Sequence, residues 1–268
     1  MDRIERALQK AREERVSVAA NAAAEALRVA TAPAAPPAPA YRTKTVAASD
    51  AVLENHRIVA RLAHSANADV FRILRTKVLR HLAQGKHTTL AVTSPNYGDG
   101  KTTVAVNLAL SLALDVKQTV LLVDLDLRDP SVDRCLGLAP EVGLSDYFHN
   151  DIPVAQCLVN PGVDRLVVLP VGKRLEQSSE ALGTPKMAKL AHELKTRYPD
   201  RIVIYDMPPL LAQDDVLAFL PHVEAVLMVV LDGVTPADDI RQCASALAGA
   251  NLIGTVLNNS TEDGRLGD

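Results

Sequence analysis

The sequence predicts an α/β fold in which helices cover both faces of a mostly parallel sheet. Two observations predict it: six short apolar runs lack polar alternation, which is typical of strands covered on both faces, and segments of helical periodicity separate most of them. The runs are 89–93, 119–123, 166–169, 202–205, 225–231 and 252–257, and the helical segments lie near 101–115, 184–197, 212–220 and 236–248. Strands that alternate with helices favour a parallel sheet, and such sheets bind ligands at the carboxyl ends of their strands.

Three parts are expected along the chain. Residues 1–16 carry a small apolar stripe that predicts a short helix, either a frayed end or a docking helix. Residues 17–60 are rich in Ala and Pro, and we expect a flexible linker because few large apolar side chains offset its chain entropy. Residues 61–268 hold the α/β domain, in which order begins near Asp69 with a helix that ends at Gly85.

Composition argues against several classes of protein. The net charge is −3, no Trp is present and aromatic residues make up 3% of the chain, so we expect no binding to nucleic acid. The three cysteines form no CxxC pair and indicate a reducing compartment. The charged N-terminus does not resemble a secretory signal, and the longest apolar stretch is shorter than the roughly 18 to 20 residues that span a bilayer. We therefore expect a cytoplasmic protein whose membrane association comes through a partner.

A glycine-containing loop connects the first apolar run of the α/β domain to an apolar helix. The loop is SPNYGDGKTT at 94–103, and its predicted binding residues are Gly98, Asp99, Gly100, Lys101, Thr102 and Thr103. Glycines let backbone amides approach an anion, and a helix N-terminus adds unpaired N–H groups. Lys101 would reach the β- and γ-phosphates of a nucleotide, and the Thr102 hydroxyl would bind Mg²⁺. Pro95 replaces the first glycine of the usual pattern, but the strand–loop–helix setting favours a phosphate-binding loop.

Acidic residues follow two other apolar runs. In VLLVDLDLRDP at 120–130, Asp124, Asp126 and Arg128 occupy alternate positions, so we expect their side chains to project together from the end of a strand. Asp206 ends the run RIVIYD. Carboxylates gathered beside a phosphate loop fit a divalent cation and a phosphoryl group. The alternative, an ion pair with Arg128, explains one aspartate but not three.

These residues resemble the bacterial tyrosine kinases of capsular and exopolysaccharide loci, over about residues 68–260. SPNYGDGKTT looks like the family's Walker A motif, LLVDLDLRDP like its second acidic motif (Walker A′) and IVIYDMPP like Walker B. FRILRT, GLSDYF and LVVLPVG are also similar to family segments. The resemblance implies a P-loop NTPase-like fold, with ATP and Mg²⁺ as cofactors. It further implies a protein-tyrosine kinase that regulates exopolysaccharide or capsule chain length, polymerisation or export.

The resemblance also implies roles for single residues. Lys101 and Thr102 bind phosphate and Mg²⁺, and Asp126 and Asp206 hold the metal directly or through water. Asp124 is the base that orients or deprotonates the attacking tyrosine hydroxyl, which makes Lys101, Asp124 and Asp126 the catalytic set. Phosphoryl transfer depends mostly on positioning and electrostatic stabilisation, which agrees with this set but does not separate Asp124 from Asp126 as the base.

Three further expectations concern binding partners. Asn258, at the end of the last apolar run, reads the adenine edge or forms a turn. Asp69, Arg72 and Arg75 stand where the family has its oligomerisation motif and recur every three residues, which predicts a homo-oligomer; the alternative is a solvated helix face. The activator is expected to be a separate integral-membrane chain-length determinant, which would hold this chain at the inner face of the inner membrane.

One departure from the family leaves a second function open. The segment NNSTEDGRLGD contains no tyrosine, so the family's C-terminal tyrosine cluster is missing, and we expect Tyr41 in the linker or another protein to accept phosphate. The alternative is a P-loop nucleotide switch of the ParA/MinD type that regulates polysaccharide assembly by binding. Such proteins carry a second lysine where this chain has Asn96, which counts against that alternative.

Overall fold

The computed structural model describes residues 44–46, 48–60 and 66–260. The predicted helix at 1–16 and most of the predicted linker lie outside the described residues. The strands are β1 (Lys44–Thr45), β2 (Thr89–Thr93), β3 (Thr119–Asp124), β4 (Val159–Asn160), β5 (Leu166–Leu169), β6 (Arg201–Asp206), β7 (Ala225–Leu231) and β8 (Leu252–Asn258). They form one sheet in the order β1-β4-β5-β3-β6-β2-β7-β8. Its strand pairs are parallel except β4 with β5, so the predicted mostly parallel sheet is confirmed.

Helices cover both faces of this sheet, as the sequence predicts. The longer ones are α2 (Ala66–Gly85), α3 (Lys101–Ala113), α8 (Pro185–Thr196) and α10 (Ala237–Ala246). The shorter ones are α1 (Asp50–Asn55), α4 (Val132–Cys135), α5 (Leu144–Asn150), α6 (Val154–Cys157), α7 (Ser178–Leu182) and α9 (Asp215–Phe219). The segment predicted near 212–220 is α-helical only over α9, which begins later than predicted. A 3₁₀ turn at Leu220–His222 follows α9.

Two apolar clusters fill the spaces between the sheet and its helices. Val92 and Leu122 point to the face that packs against Leu108 of α3. Their strand neighbours point to the opposite face, where Val123 joins Met187 of α8. This alternation follows from the period of two along a strand. Both faces are therefore buried, which explains why the strands read as unbroken apolar runs.

Helix α3 is the central element under the site. It follows the predicted phosphate-binding loop, and all of its residues except Thr103 are buried. A mostly apolar helix buried on nearly every side is typical of a domain core, and α3 packs between the sheet and α2. Its first turn, with Lys101 and Thr102, is therefore buried where the loop ends.

The folded region begins earlier than the sequence predicts. We expected a linker over 17–60 and order from about Asp69, but β1 and α1 lie within that linker, and the compact unit that holds the described residues begins at Thr43. Leu53 and Ile58 are buried against the domain. This segment contains few apolar residues, so its own sequence does not predict that it packs against the domain. Side chains elsewhere in the chain hold it there.

Asn107 on α3 supplies much of that docking. Its buried side-chain oxygen accepts the N–H groups of Val59 and Ala60 at 2.8 and 2.9 Å. Its side-chain nitrogen donates to the carbonyl oxygens of Arg57 and Thr103 at 3.0 and 2.9 Å. A single buried amide therefore holds the segment before α2 against the helix that follows the phosphate-binding loop.

No helix in the described part of the chain is long and apolar enough to cross a membrane.

Candidate active site

The carboxyl ends of the central strands bring the predicted site residues together. Asp124 ends β3 and lies directly opposite Asp206, which ends β6, in the parallel register of these strands. Strand β2, which leads into the loop at 94–100, pairs with the other side of β6. Both aspartates are buried. The loop, Asp124 and Asp206 therefore meet at one edge of the sheet, as expected for ligand sites of parallel sheets.

Thr102 and Asp206 form the closest contact between the loop and the strand ends. The Thr102 hydroxyl donates to Oδ2 of Asp206 at 2.7 Å. Oδ1 of Asp206 is buried and has no hydrogen-bond partner. Burial raises the pKa of Asp206 to about 6, although Lys101 and Thr102 limit the rise. A buried carboxylate oxygen without a partner is an unsatisfied acceptor, as expected where an ion or a water supplies the missing contact.

Lys101 lies among the carboxylates. Its Nζ is 2.8 Å from Oδ2 of Asp126 and 3.4 Å from the Thr102 hydroxyl oxygen. Burial works to lower the pKa of Lys101, but the neighbouring aspartates, Asp206 first, outweigh burial and raise that pKa above its usual range. Lys101 is therefore a cation throughout the physiological pH range.

Asp124 anchors the loop that follows β3. Its Oδ1 accepts the N–H of Asp126 at 3.1 Å, and its Oδ2 accepts the N–H groups of Ser131 and Val132, each at 3.0 Å. Burial above all, and then the Asp206 carboxylate, raise the pKa of Asp124 well above its usual range. Each carboxylate oxygen has two lone pairs, so Oδ1 keeps one for a further donor.

The expected side-by-side projection of three charges holds for only two of them. Asp124 and Asp126 are both buried in the site, and Oδ1 of Asp126 accepts the N–H of Asp129 at 3.1 Å. Arg128 is exposed, and its guanidinium donates instead to the Ser178 hydroxyl at 2.7 Å. The expectation for Arg128 is wrong: β3 ends at Asp124, so strand alternation sets the direction of neither Asp126 nor Arg128, and the hydrogen bond to Ser178 draws Arg128 elsewhere.

The loop before Lys101 has the conformation that its glycines allow. Gly98 and Gly100 have φ angles of 85° and 90°, in the left-handed region that favours glycine. A Cβ at Gly100 would also lie 2.1 Å from the side-chain nitrogen of Asn258. That nitrogen donates to the Asp99 carbonyl oxygen at 2.9 Å, so Asn258 lies beside the phosphate-binding loop and contacts its backbone.

The oxygen donors at this site fit Mg²⁺. The described residues contain no group of three or more His, Cys, Asp or Glu side chains that could hold a metal alone. Mg²⁺ does not require one, because it is usually held by one or two carboxylates together with substrate phosphates and waters. The Thr102 hydroxyl and the unpartnered Oδ1 of Asp206 provide hard oxygen donors beside Lys101.

Comparison with known proteins agrees with this geometry. A family model described as an AAA domain matches residues 87–230, over half of the chain. The tyrosine-protein kinase YwqD of Bacillus subtilis is 30% identical over 196 residues, which cover 72% of this chain and 81% of YwqD. The chain belongs to the bacterial tyrosine-kinase family. The predicted resemblance to these kinases is thereby confirmed.

Two further relatives of this kinase family show the extent of the match. The succinoglycan biosynthesis transport protein ExoP of Rhizobium meliloti is 29% identical over 209 residues, which cover 76% of this chain and 26% of ExoP. The chain thus spans about a quarter of that relative. The crystal structure of the chimerical protein CapA2B2 superimposes with a TM-score of 0.71 at 26% identity, covering 82% of this chain and 94% of the other.

Asp69, Arg72 and Arg75 stand at the position of the kinase family's oligomerisation motif. Within the described chain they do not share one set of contacts. Asp69 and Arg72 form an ion pair with each other on α2. The Arg75 guanidinium is half-buried and donates to the Ser111 carbonyl oxygen of α3 at 2.9 Å. Arg75 therefore already has a partner in its own chain, a contact that three-residue spacing does not reveal.

Two residues that shape this kinase-family site, Ser131 and Thr235, were not predicted from the sequence. The Ser131 hydroxyl lies 3.0 Å from the Thr102 hydroxyl, and Thr235 donates to the Asp99 carboxylate at 2.7 Å. Asn96 donates to Asp239 of α10 at 2.6 Å, so its side chain is engaged within the chain. Contacts between distant segments carry no periodicity, so the sequence gives no signal for the contacts of Ser131 and Thr235.

Proposed function

We propose that this chain is a protein-tyrosine kinase that transfers the γ-phosphoryl group of ATP to tyrosine and acts in exopolysaccharide or capsule production. The observation that carries the proposal is one chain of contacts, in which Lys101 touches both Asp126 and Thr102, and Thr102 in turn donates to Asp206. Membership of the tyrosine-kinase family, and similarity to a succinoglycan transport protein, support the substrate and the pathway.

In this proposal the loop at 98–103 and Lys101 hold the nucleotide phosphates. Backbone amides at a helix N-terminus and a charged lysine are the usual partners of phosphate. Thr102, Asp126 and Asp206 would hold Mg²⁺, which when bound offsets the negative charge of the phosphates. Asn258, which lies against the loop backbone, is the candidate contact for adenine.

Asp124 is the proposed base. As the tyrosine oxygen bonds to the γ-phosphorus and the bond from phosphorus to the ADP oxygen breaks, the tyrosine proton passes to a carboxylate. Oδ1 of Asp124 retains a lone pair for that proton, and the raised pKa of Asp124 makes it a stronger proton acceptor than an ordinary carboxylate. Three backbone N–H groups hold Asp124 in place, which favours precise positioning over motion.

The proposed activator is a separate integral-membrane chain-length determinant, which would hold the chain at the inner face of the inner membrane. The similarity to ExoP, a transport protein of which this chain spans about a quarter, supports a function coupled to a membrane component. We also propose that the chain self-associates through α2, at Asp69, Arg72 and Arg75.

The fate of the γ-phosphate tests the proposed activity. The full chain is incubated with its membrane partner, Mg²⁺ and ATP labelled on the γ-phosphate, and the label is separated into inorganic phosphate and phosphotyrosine. We expect phosphotyrosine that disappears in Lys101→Met and persists in Lys117→Met, a matched change at an exposed lysine. Label found in inorganic phosphate alone would favour the nucleotide switch.

A further inference from the structure

Ser131 connects the phosphate-binding loop to the second acidic motif. Its hydroxyl lies 3.0 Å from the Thr102 hydroxyl oxygen, and its backbone N–H donates to Oδ2 of Asp124 at 3.0 Å. Ser131 is half-buried, between the buried Asp124 and the exposed residues of the loop. One residue thus contacts both the candidate ligand of Mg²⁺ and the candidate base, through two different groups.

The hydrogen-bond directions in this chain of hydroxyls follow from valence. A hydroxyl has one proton and two lone pairs, whereas an ionised carboxylate only accepts. Thr102 therefore gives its proton to Asp206, at 2.7 Å, and Ser131 must donate to Thr102. The second lone pair of Thr102 accepts only the long hydrogen bond of 3.4 Å from Lys101 Nζ, which a cation bound to Thr102 would replace.

We propose that Ser131 is a positioning residue for the Mg²⁺ ligand Thr102. By donating to one lone pair, Ser131 holds the Thr102 proton toward Asp206 and leaves the other lone pair for the cation. The inference rests on the nucleotide and Mg²⁺ site of the proposed function, and it does not depend on the transfer of phosphate to tyrosine.

The two contacts of Ser131 can be separated by mutation. The bond to Asp124 comes from the backbone, so Ser131→Ala keeps it and removes only the hydroxyl beside Thr102. The loop also remains tied to Asp124 through the N–H of Val132. A change in metal binding in Ser131→Ala would therefore report on the hydroxyl and not on the fold of the loop.

The test measures Mg²⁺ dependence of nucleotide binding in the full chain, with a fluorescent ADP analogue titrated in EDTA and then with Mg²⁺. Loss of one hydrogen bond predicts that Ser131→Ala raises the Mg²⁺ midpoint by about 3- to 10-fold and leaves the affinity in EDTA unchanged. Ser131→Thr, which keeps the hydroxyl, should restore the midpoint to within about twofold. Ser179→Ala, at a hydroxyl that contacts only Glu180 among the hydrogen bonds of the described chain, should match wild type.

Other outcomes overturn the inference. A Ser131→Ala midpoint equal to that of wild type shows that Thr102 needs no second hydroxyl. An equal loss of affinity in EDTA and in Mg²⁺ shows a structural effect on the loop. If the wild-type chain binds no nucleotide with Mg²⁺, the nucleotide site of the proposed function fails together with this inference, whereas a wild-type response with an unchanged variant removes the inference alone.

Discussion

The Lys101 ammonium lies 2.8 Å from Oδ2 of Asp126, and this ion pair joins the phosphate-binding loop to the second acidic motif. The two side chains are 11% and 1% exposed, so each charge depends on the other for its solvation. In the proposed function, nucleotide phosphates would compete with Asp126 for the same ammonium. We therefore expect Lys101 to leave Asp126 and to contact phosphate when nucleotide binds.

Asp126→Asn tests this exchange. The variant keeps an oxygen for the N–H of Asp129 but removes the charge that holds Lys101. We expect the affinity for ADP in EDTA to rise by a few fold, because Lys101 no longer leaves an ion pair to reach phosphate, while the gain in affinity on adding Mg²⁺ falls. Isothermal titration with and without Mg²⁺ measures both. Weaker ADP binding in EDTA would show that the ion pair does not oppose nucleotide.

Asp206→Asn should stabilise the metal-free protein more at high pH than at low pH. Burial raises the pKa of Asp206 to about 6, so the fold favours the protonated acid and ionised Asp206 lowers stability. This cost grows as pH rises from about 4 to about 6 and is then constant. The gain in free energy of unfolding should be larger at pH 8 than at pH 5 by about 1 kcal/mol.

Urea unfolding in EDTA at the two pH values measures that gain. Asp238→Asn, at an exposed carboxylate on α10, is the control and should show no such difference. An equal gain from Asp206→Asn at pH 5 and pH 8 would contradict a raised pKa in the folded protein.

Asn107→Ala should destabilise the domain by about 2–4 kcal/mol, because it leaves buried and half-buried backbone groups of the 57–60 segment without partners. Asn251→Ala removes one exposed hydrogen bond, to the Glu224 carbonyl, and should cost less than about 1 kcal/mol. Urea unfolding compares the two variants. Equal effects would show that the segment before α2 docks without Asn107.

Arg72→Ala combined with Arg75→Ala should shift the sedimentation profile toward monomer if α2 mediates self-association. Arg75 also donates to the Ser111 carbonyl oxygen, so the double variant is expected to lose some stability as well. Arg72→Ala alone keeps that bond and separates assembly from stability. Arg80→Ala, on an exposed position of the same helix, is the matched control. An unchanged profile for the double variant would place assembly elsewhere.

The central fold was predictable because it depends on burial. Strands covered on both faces have apolar residues at successive positions, which appear in the sequence as unbroken apolar runs. The strands that lie at those runs are β2, β3, β5, β6, β7 and β8. The two-residue strands β1 and β4, and the helices of four to seven residues other than α9, were missed because such short elements complete too few periods to produce a pattern. Their positions depend on tertiary contacts such as those of Asn107.

The sequence was sufficient to predict which residues meet at the candidate site, but not all of their contacts. Asp124, Asp206 and Thr102 converge because the carboxyl ends of parallel strands share one edge, which topology alone requires. The direction of Arg128 was not predictable, since it depends on where β3 stops. Nor was the contact of Ser131, which joins positions separated by 29 residues through a single hydroxyl.

The location of phosphotyrosine tests the central claim most directly. Tyr205 is fully buried in β6, as the sequence predicts, so it should not reach a nucleotide, whereas Tyr41 lies in the predicted linker outside the described residues. After incubation with Mg²⁺, ATP and the membrane partner, phosphopeptide mass spectrometry should find phosphotyrosine on Tyr41 or on the partner. None should be found on Tyr205, and none anywhere with Lys101→Met. Stoichiometric phosphate on Tyr205, phosphotyrosine that survives Lys101→Met, or no phosphotyrosine on either protein would contradict the account.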